Sequence, residues 1–318
     1  MYSSQQDQPL VSVLIPLHNT ERFIALALTS VLQEQRIPLE VIVIDDHSTD
    51  GSLAAIAQIQ DSRIRVINSA GKGISDTLNT GLAAARGDII VRCDADDVYP
   101  ADRLLHQVEW LQKNPEYGAI CGSYAAVDPR GSMITPLSVM AAGEITEELR
   151  QGITRTHLAT FAIRADVMQA IGGFRPYFVT AEDIDFQLRL GAACRVWYEP
   201  TNCYHYRIHG ASITHTQKSN EREFFEAIAR EFQQQRQLTG LDDLDRGCPP
   251  LPPQEDSPSF RATHHIQGFL LGQAWQMYQD GDKWQALTTG WRAALTAPGN
   301  VSVWQSLAAM VVKSVVAL

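Results

Sequence analysis

Over the first hundred residues, short apolar runs rich in β-branched side chains alternate with longer stretches in which apolar residues recur every three or four positions. Residues 11–17 (VSVLIPL) form the first run, and Phe23, Ala27, Leu28, Val31 and Leu32 follow at helical spacing. A second run at 40–45 (EVIVID) leads into Asp46-His47-Ser48-Thr49-Asp50, a cluster of possible helix-capping oxygens. Residues 63–68 (RIRVIN) read as a third strand and 71–86 as a glycine-led helix. Residues 88–93 (DIIVRC) make a fourth strand, running directly into Asp94-Ala95-Asp96-Asp97.

Strands alternating with helices of this length predict an α/β fold with a mainly parallel central sheet covered by helices on both faces. Ligands of such sheets bind beyond the carboxyl ends of the strands. Three of the four predicted strands end there in polar residues: His18-Asn19, Asp45-Asp46 and Asp94 to Asp97. Beyond a helix at 103–113 the pattern turns irregular. It gives short strands near 119–127, a turn at 128–131, an amphipathic stretch at 144–152 and a strand near 159–164. The turn Gly172-Gly173-Phe174, a helix at 182–190 and a strand at 195–198 follow.

Residues 242–259 break the composition with acidic residues and five prolines, marking a linker or long loop. After it, Phe269, Leu270, Trp275 and Tyr278, then Trp284, Leu287, Trp291 and Leu295, predict two or three packed helices. Residues 286–298 bear a faint likeness to the second helix of a tetratricopeptide repeat, without a detectable period.

The 318 residues suffice for one large domain and an appendage. A net charge of −10 argues against wrapping nucleic acid but leaves room for a nucleotide as a small ligand. Five scattered cysteines without a C-x-x-C pair suggest reduced thiols. The first eight residues carry no basic region or apolar signal core, so a cytoplasmic location is expected. Residues 301–318 are apolar but interrupted by Ser302, Gln305, Ser306, Lys313 and Ser314, which fits an amphipathic helix better than a membrane span.

The candidate chemistry centres on two acidic clusters. At the end of the fourth strand, alternation places the Asp94 and Asp96 carboxylates on one side of the extended backbone, where they can converge on a cation. Hard ions such as Mg²⁺ and Mn²⁺ take one or two carboxylates and keep positions for water and phosphate. Taken alone, a D-x-D triplet is weak, since acidic residues after strands are common caps. The second cluster is Glu182-Asp183 at a helix start, where the positive end of the helix suits negative charge. Lys72, between Gly71 and Gly73 at another helix start, is a candidate phosphate or base contact or simply a solvated lysine.

In combination, the segments VSVLIPLHNTERFIALALTSVLQEQ, EVIVIDDHSTDGS, GKGISDTLNTGLAAARGDIIVRCDADDVYPADRL, IGGFRP and AEDIDFQLRL resemble the family-2 glycosyltransferases, inverting enzymes with the nucleotide-binding fold called GT-A. The resemblance covers about residues 10–215. Together with the break in composition and the helical spacing after it, it leads to an expected catalytic domain at 1–240, a proline-rich linker or loop at 241–259 and a helical extension at 260–318. It further implies that the loop Pro16, His18, Asn19 and the Asp46 carboxylate hold a nucleobase and ribose, uracil being expected. Asp94 would face the ribose, Asp96 would bind Mn²⁺ or Mg²⁺, Asp183 would act as general base and Glu182 would orient the acceptor. His18 stands where the family usually has an aromatic residue.

By the same resemblance the segment Tyr206-Arg207-Ile208-His209, followed by Ser212, makes His209 a candidate metal ligand and Arg207 a candidate diphosphate contact, and His157 lies near the acceptor pocket; His205, His215, His264 and His265 show no metal-ligand spacing. Asn79 and Gly81 resemble helix-packing positions; by spacing Asp185 reads as structural, and Trp197 as strand packing. The implied partners are a nucleotide-sugar donor and a saccharide or lipid-linked saccharide acceptor, as in cell-surface polysaccharide or glycolipid synthesis. The C-terminal helices are candidates for acceptor recognition, homo-oligomer contacts or a peripheral contact with the inner membrane face. Two rivals remain: an inactive sugar-nucleotide-binding scaffold, and a nucleotidyltransferase, which PLHNTERF disfavours because it lacks a glycine-rich phosphate loop.

Overall fold

A computed structural model describes residues 8–134, 140–209, 219–253, 262–279 and 281–316. The predicted strands appear as β1 (Val11–Leu17), β2 (Leu39–Asp45), β3 (Ile64–Asn68) and β4 (Ile89–Arg92). The helices between them are α1 (Ile24–Leu32), α2 (Ser52–Ala57) and α3 (Ile74–Ala84). β1 pairs in parallel with both β2 and β4, and β2 with β3. Because both sheet faces are covered, β1 is apolar at nearly every position. Val13, Ile15 and Leu17 pack with Leu28 and Val31 of α1 on one face, while Leu14 packs with Leu78 of α3 on the other. Gly81 lets α3 approach the sheet, since a Cβ there would lie 2.8 Å from Ile44. The α3 helix starts three residues later than expected because Gly73 takes φ = +87°, a conformation open chiefly to glycine.

The chain continues through α4 (Arg103–Lys113), β5 (Ala119–Val127), β6 (Gly143–Glu144), α5 (Thr146–Arg150), β7 (Ala162–Arg164), α6 (Ala165–Ile171), α7 (Glu182–Ala193) and β8 (Val196–Arg207). The sheet order is β3-β2-β1-β4-β7-β5-β8-β6. Its first half is parallel as expected, but β7 enters antiparallel to both β4 and β5, and β6 lies antiparallel to β8. The strand expected at 159–164 is half 3₁₀ turn, Leu158–Thr160. The one expected at 195–198 runs on to Arg207. A 21-residue helix, α8 (Ser219–Thr239), lies outside the predicted elements, although Phe225, Ile228, Ala229 and Phe232 recur at helical spacing and are buried.

The start of α7 is fixed by buried charge. Gly172 and Gly173, at φ of +80° and +76°, turn the chain after α6 so that Phe174 stacks on Phe186 of α7 at 4.6 Å. The Asn79 amide of α3 both donates to and accepts from the Phe174 backbone, each at 2.8 Å. Arg175 then grips the fully buried Asp185 carboxylate, and its Nη1 reaches Asp242, also fully buried, at 2.6 Å. Arg189 closes on Asp185 at 2.9 Å, and Arg236 of α8 pairs with Asp242. Residues 242–250 of the expected linker therefore sit against this helix, with the Tyr177 hydroxyl donating to Pro250 O at 2.6 Å.

By internal contacts the chain divides into two units, one of residues 1–124, 137–206 and 220–254, the other of 125–136, 207–219 and 255–318. The second unit carries α9 (Ala262–Gln279), α10 (Lys283–Thr296) and α11 (Val301–Val316). Gln267 of α9 donates to Ala293 O and Ala297 O, and Trp275 Nε1 donates to Ser306 of α11 at 2.8 Å. Of the residues expected to form the inner face of α10, only Leu287 packs inward; Trp284, Trp291 and Leu295 are exposed. The inner face consists instead of Ala286, Gly290, Ala293 and Ala294, small enough for Leu307 of α11 to come within 3.0 Å of a Cβ placed on Gly290. Among the described residues no helix is long and apolar enough to cross a membrane.

Arg175→Ala leaves two buried carboxylates short of a partner, so urea unfolding should show a loss of about 3–5 kcal/mol. A loss below about 1 kcal/mol would mean that the buried charges do not hold α7.

Candidate active site

The acidic run after β4 does not continue the strand. The Asp97 N–H donates to Asp94 O at 3.0 Å, closing a turn, so the alternation expected to align Asp94 with Asp96 does not apply. The turn is locked from beneath by Tyr204 of β8, whose hydroxyl donates to the buried Asp97 carboxylate at 2.6 Å and accepts from Asp94 N–H at 3.1 Å. Tyr99, edge-on to Tyr204, donates to Arg92 O at 2.6 Å. Asp97 thus serves the backbone, and the half-buried Asp94 and Asp96 are presented by it.

Arg92, the last residue of β4, joins the two acidic clusters. Its Nε donates to Asp94 Oδ1 at 2.6 Å and its Nη1 to Glu182 Oε1 at 3.2 Å. Burial works against the charge on Arg92, but the two carboxylates outweigh it and the guanidinium stays cationic. Glu182 is 9% exposed. Burial and the neighbouring Asp183 charge push its carboxyl up to about 7, with Arg92 opposing them. Ala181, just before it, is held at φ = +57°, a left-handed conformation that costs a non-glycine residue about 1–2 kcal/mol.

Asp183, half-buried, lies within electrostatic reach of Glu182, His157 and Arg222. His157 lies between Tyr124 and Tyr206, with ring centroids 4.3 and 5.0 Å away. Burial lowers its affinity for a proton, and the charges of Asp183 and Asp94 oppose that shift. One imidazole therefore senses both acidic clusters. Arg222 of α8 pairs with Glu226 at 2.8 Å. Burial lowers its pKa, but Glu226 and Asp183 outweigh that and leave it raised.

At the ends of β1 and β2 a second group of candidates is tied together. His18 Nδ1 lies 2.6 Å from Asp46 O and its Nε2 3.2 Å from Asn19 Nδ2, which fits a ring that donates to the carbonyl and accepts from the amide. Asn19, at φ = +51°, accepts from Thr49 N–H at 2.7 Å and so joins the two loops. Asp46 Oδ2 accepts from Gly73 N–H at 2.9 Å, at the start of α3 rather than of the helix that follows it in sequence. Lys72, next to that contact, is exposed, and Pro16 is half-buried on β1. Asp45 is the buried strand-end acid, accepting from Ser48 N–H at 3.1 Å.

Among the described residues no group of three or more His, Cys, Asp or Glu is arranged as a metal cage. Asp94 and Asp96 make an oxygen-only donor set, with one Asp94 oxygen taken by Arg92. That set suits a hard divalent ion whose remaining positions are filled by water and phosphate. His209 follows β8 within the second unit, and Arg207 there donates to Pro129 O at 3.1 Å. Ser212 and His215 lie outside the described residues. Trp197 stacks on Trp110 at 5.6 Å, as a packing residue would. Arg92, Tyr204 and Arg222 escaped the sequence reading. A lone charge ending the apolar run DIIVRC was a signal for the first, and nothing local pointed to the others.

The family model for glycosyl transferase family 2 matches residues 12–182, more than half of the chain. An uncharacterized glycosyltransferase, EpsJ of Bacillus subtilis (strain 168), is 33% identical over 148 residues, 45% of this chain and 43% of its own. From Escherichia coli, UDP-Glc:alpha-D-GlcNAc-diphosphoundecaprenol beta-1,3-glucosyltransferase WfgD is 31% identical over 137 residues, 42% of this chain and 54% of its own. The match thus spans about half the length of these two relatives. Among solved structures, S. aureus TarS 1–349 in complex with UDP-GlcNAc superposes with TM-score 0.60 at 18% identity, covering 91% of this chain and 81% of that one. Mannosyltransferase PcManGT from Pyrobaculum calidifontis, in complex with GDP-Man and Mn2+, gives 0.54 at 22% identity, covering 98% and 82%. These likenesses agree with the GT-A fold, and the family match over the stretch that carries β1 to β4 and Glu182 places the chain in glycosyl transferase family 2.

Proposed function

We propose that this chain transfers a sugar, with inversion, from a uridine-diphosphate donor to the hydroxyl of a saccharide or lipid-linked saccharide. The observation that carries the reading is the Arg92 bridge, which sets Asp94 and Glu182 on one guanidinium and so joins the acidic turn to the acidic helix start. The donor chemistry named for WfgD and for the TarS complex supports uridine diphosphate, and the manganese of the PcManGT complex supports a divalent ion.

On this reading Asp46, with His18, Asn19 and Pro16, holds the base and ribose, and Lys72 neighbours the phosphates. Asp96 and Asp94 would hold the metal. The bound ion would neutralise the departing diphosphate. Asp183 takes the proton from the acceptor hydroxyl as its oxygen bonds to the anomeric carbon and the bond to the diphosphate oxygen breaks. Glu182, partly protonated near neutrality, orients the acceptor without adding a full second negative charge beside the base.

Asp183→Asn is expected to lower transfer by about 10²- to 10⁴-fold while donor binding, read by calorimetry, stays near the wild type. Transfer at the wild-type rate would remove Asp183 as the base. Asp96→Ala should abolish the extra thermal stabilisation that Mn²⁺ adds to UDP-sugar binding; an unchanged Mn²⁺ dependence would place the metal elsewhere.

A separate test concerns Glu182. Its carboxyl is raised in the folded chain, so its contribution to stability is complete below about pH 4.5 and is lost as pH rises through about 7. The loss is on the order of 2–3 kcal/mol. Glu182→Gln, fixed in the neutral form, should therefore flatten the fall in metal-free unfolding free energy between pH 5 and 8 (~3 pH units). Parallel slopes for the two proteins would show that Glu182 is already ionised at pH 5.

A further inference from the structure

The sidedness of α10 is the reverse of that of an ordinary surface helix. Its small residues, Ala286, Gly290, Ala293 and Ala294, face inward, while Trp284, Trp291 and Leu295 are 76%, 54% and 54% exposed. These three recur at i, i+7 and i+11 and make one stripe. The stripe continues onto α11 through an edge-on contact of Trp291 with Trp304, centroids 5.5 Å apart. There Val301 and Val312 are 65% and 60% exposed. The Trp304 indole N–H is already bound to Pro298 O at 2.8 Å, which leaves the rest of its ring to apolar surroundings.

Charge selects the occupant of this surface. The whole chain carries −10, yet residues 283–318 hold Lys283, Arg292 and Lys313 and no acidic residue. Asp282, just before them, is used as the cap of α10, accepting from Gln285 N–H. Lys313 lies over the Trp275 ring of α9, 5.2 Å from its centroid, so Lys283 and Arg292 are the cations of this face. We propose that the exposed faces of α10 and α11 dock on an anionic lipid surface, tryptophans at headgroup depth and Lys283 and Arg292 against the lipid phosphates. Indoles and basic residues together have this interfacial chemistry. A second copy of the chain fits worse, because a two-fold contact through this face would set cations against cations with no acid within the stretch to pair them. The inference goes beyond the transfer reaction and does not depend on it.

The test is co-sedimentation of the full chain with unilamellar vesicles of phosphatidylcholine, with and without phosphatidylglycerol. Wild type should pellet with the anionic vesicles and shift its tryptophan emission to the blue. Lys283→Gln and Arg292→Gln should each lower partitioning about fivefold, and Trp284→Ser should lower it as well. Circular dichroism checks that each variant is folded. The proposal is overturned if folded wild type stays in the supernatant with anionic vesicles, or if the glutamine variants bind as tightly as wild type. It is equally overturned if Trp284→Ser breaks a dimer seen by ultracentrifugation while no variant or wild type binds vesicles.

Discussion

A single guanidinium organises the acidic end of this sheet. Arg92 has little water around it, and a charge in that position must be paired or it destabilises the fold. Asp94 and Glu182 satisfy it from two directions, one from the turn after its own strand and one from a helix far along the chain. The arrangement divides labour among the acids. Asp97 is spent on Tyr204, and Asp94 is partly spent on Arg92. Glu182 is drawn into burial, where its own charge becomes costly. Asp96 and Asp183 lie next in sequence to these acids and are half-buried.

The helix that presents Glu182 and Asp183 is held by a different set of charges. Arg175 enters from the Gly172-Gly173 turn and meets Asp185 one turn inside α7, and Asp242 completes the cluster from beyond α8. The carboxylate at the fourth position of the helix is thereby structural, while Glu182 at its first position turns to Arg92 and Asp183 at its second stays half-buried. The left-handed Ala181 at the junction is tolerated because packing on both sides determines the path. Glu182 and Asp183 therefore sit on a helix start held by packed charges, whereas Asp94 and Asp96 sit on a turn locked by Tyr204.

Much of this was legible in the sequence because the signals were local. Apolar runs bounded by polar residues located β1 to β4, and helical spacing located α1, α4 and α7 almost to the residue. Asp185 could be set apart from its neighbours by position on the helix alone, and its burial agrees. What escaped depends on contacts between distant segments. Nothing near Asp94 indicates that a tyrosine 110 positions later bends its backbone into a turn. Likewise no local feature reveals that Arg222 approaches Asp183, or that β7 slots in backwards beside β4. The tryptophans of α10 misled for another reason: helical periodicity reports that a face is apolar, not whether protein covers it.

The Arg92 to Glu182 contact spans 90 positions of chain. Closing so long a loop costs little more than closing a short one, so what sets the contact is the framework between the two residues, the parallel strands, the reversed β7 and the glycine turn. A sheet rich in such long-range contacts folds slowly, so the acidic turn and the acidic helix start come together only where the strands between them are already paired.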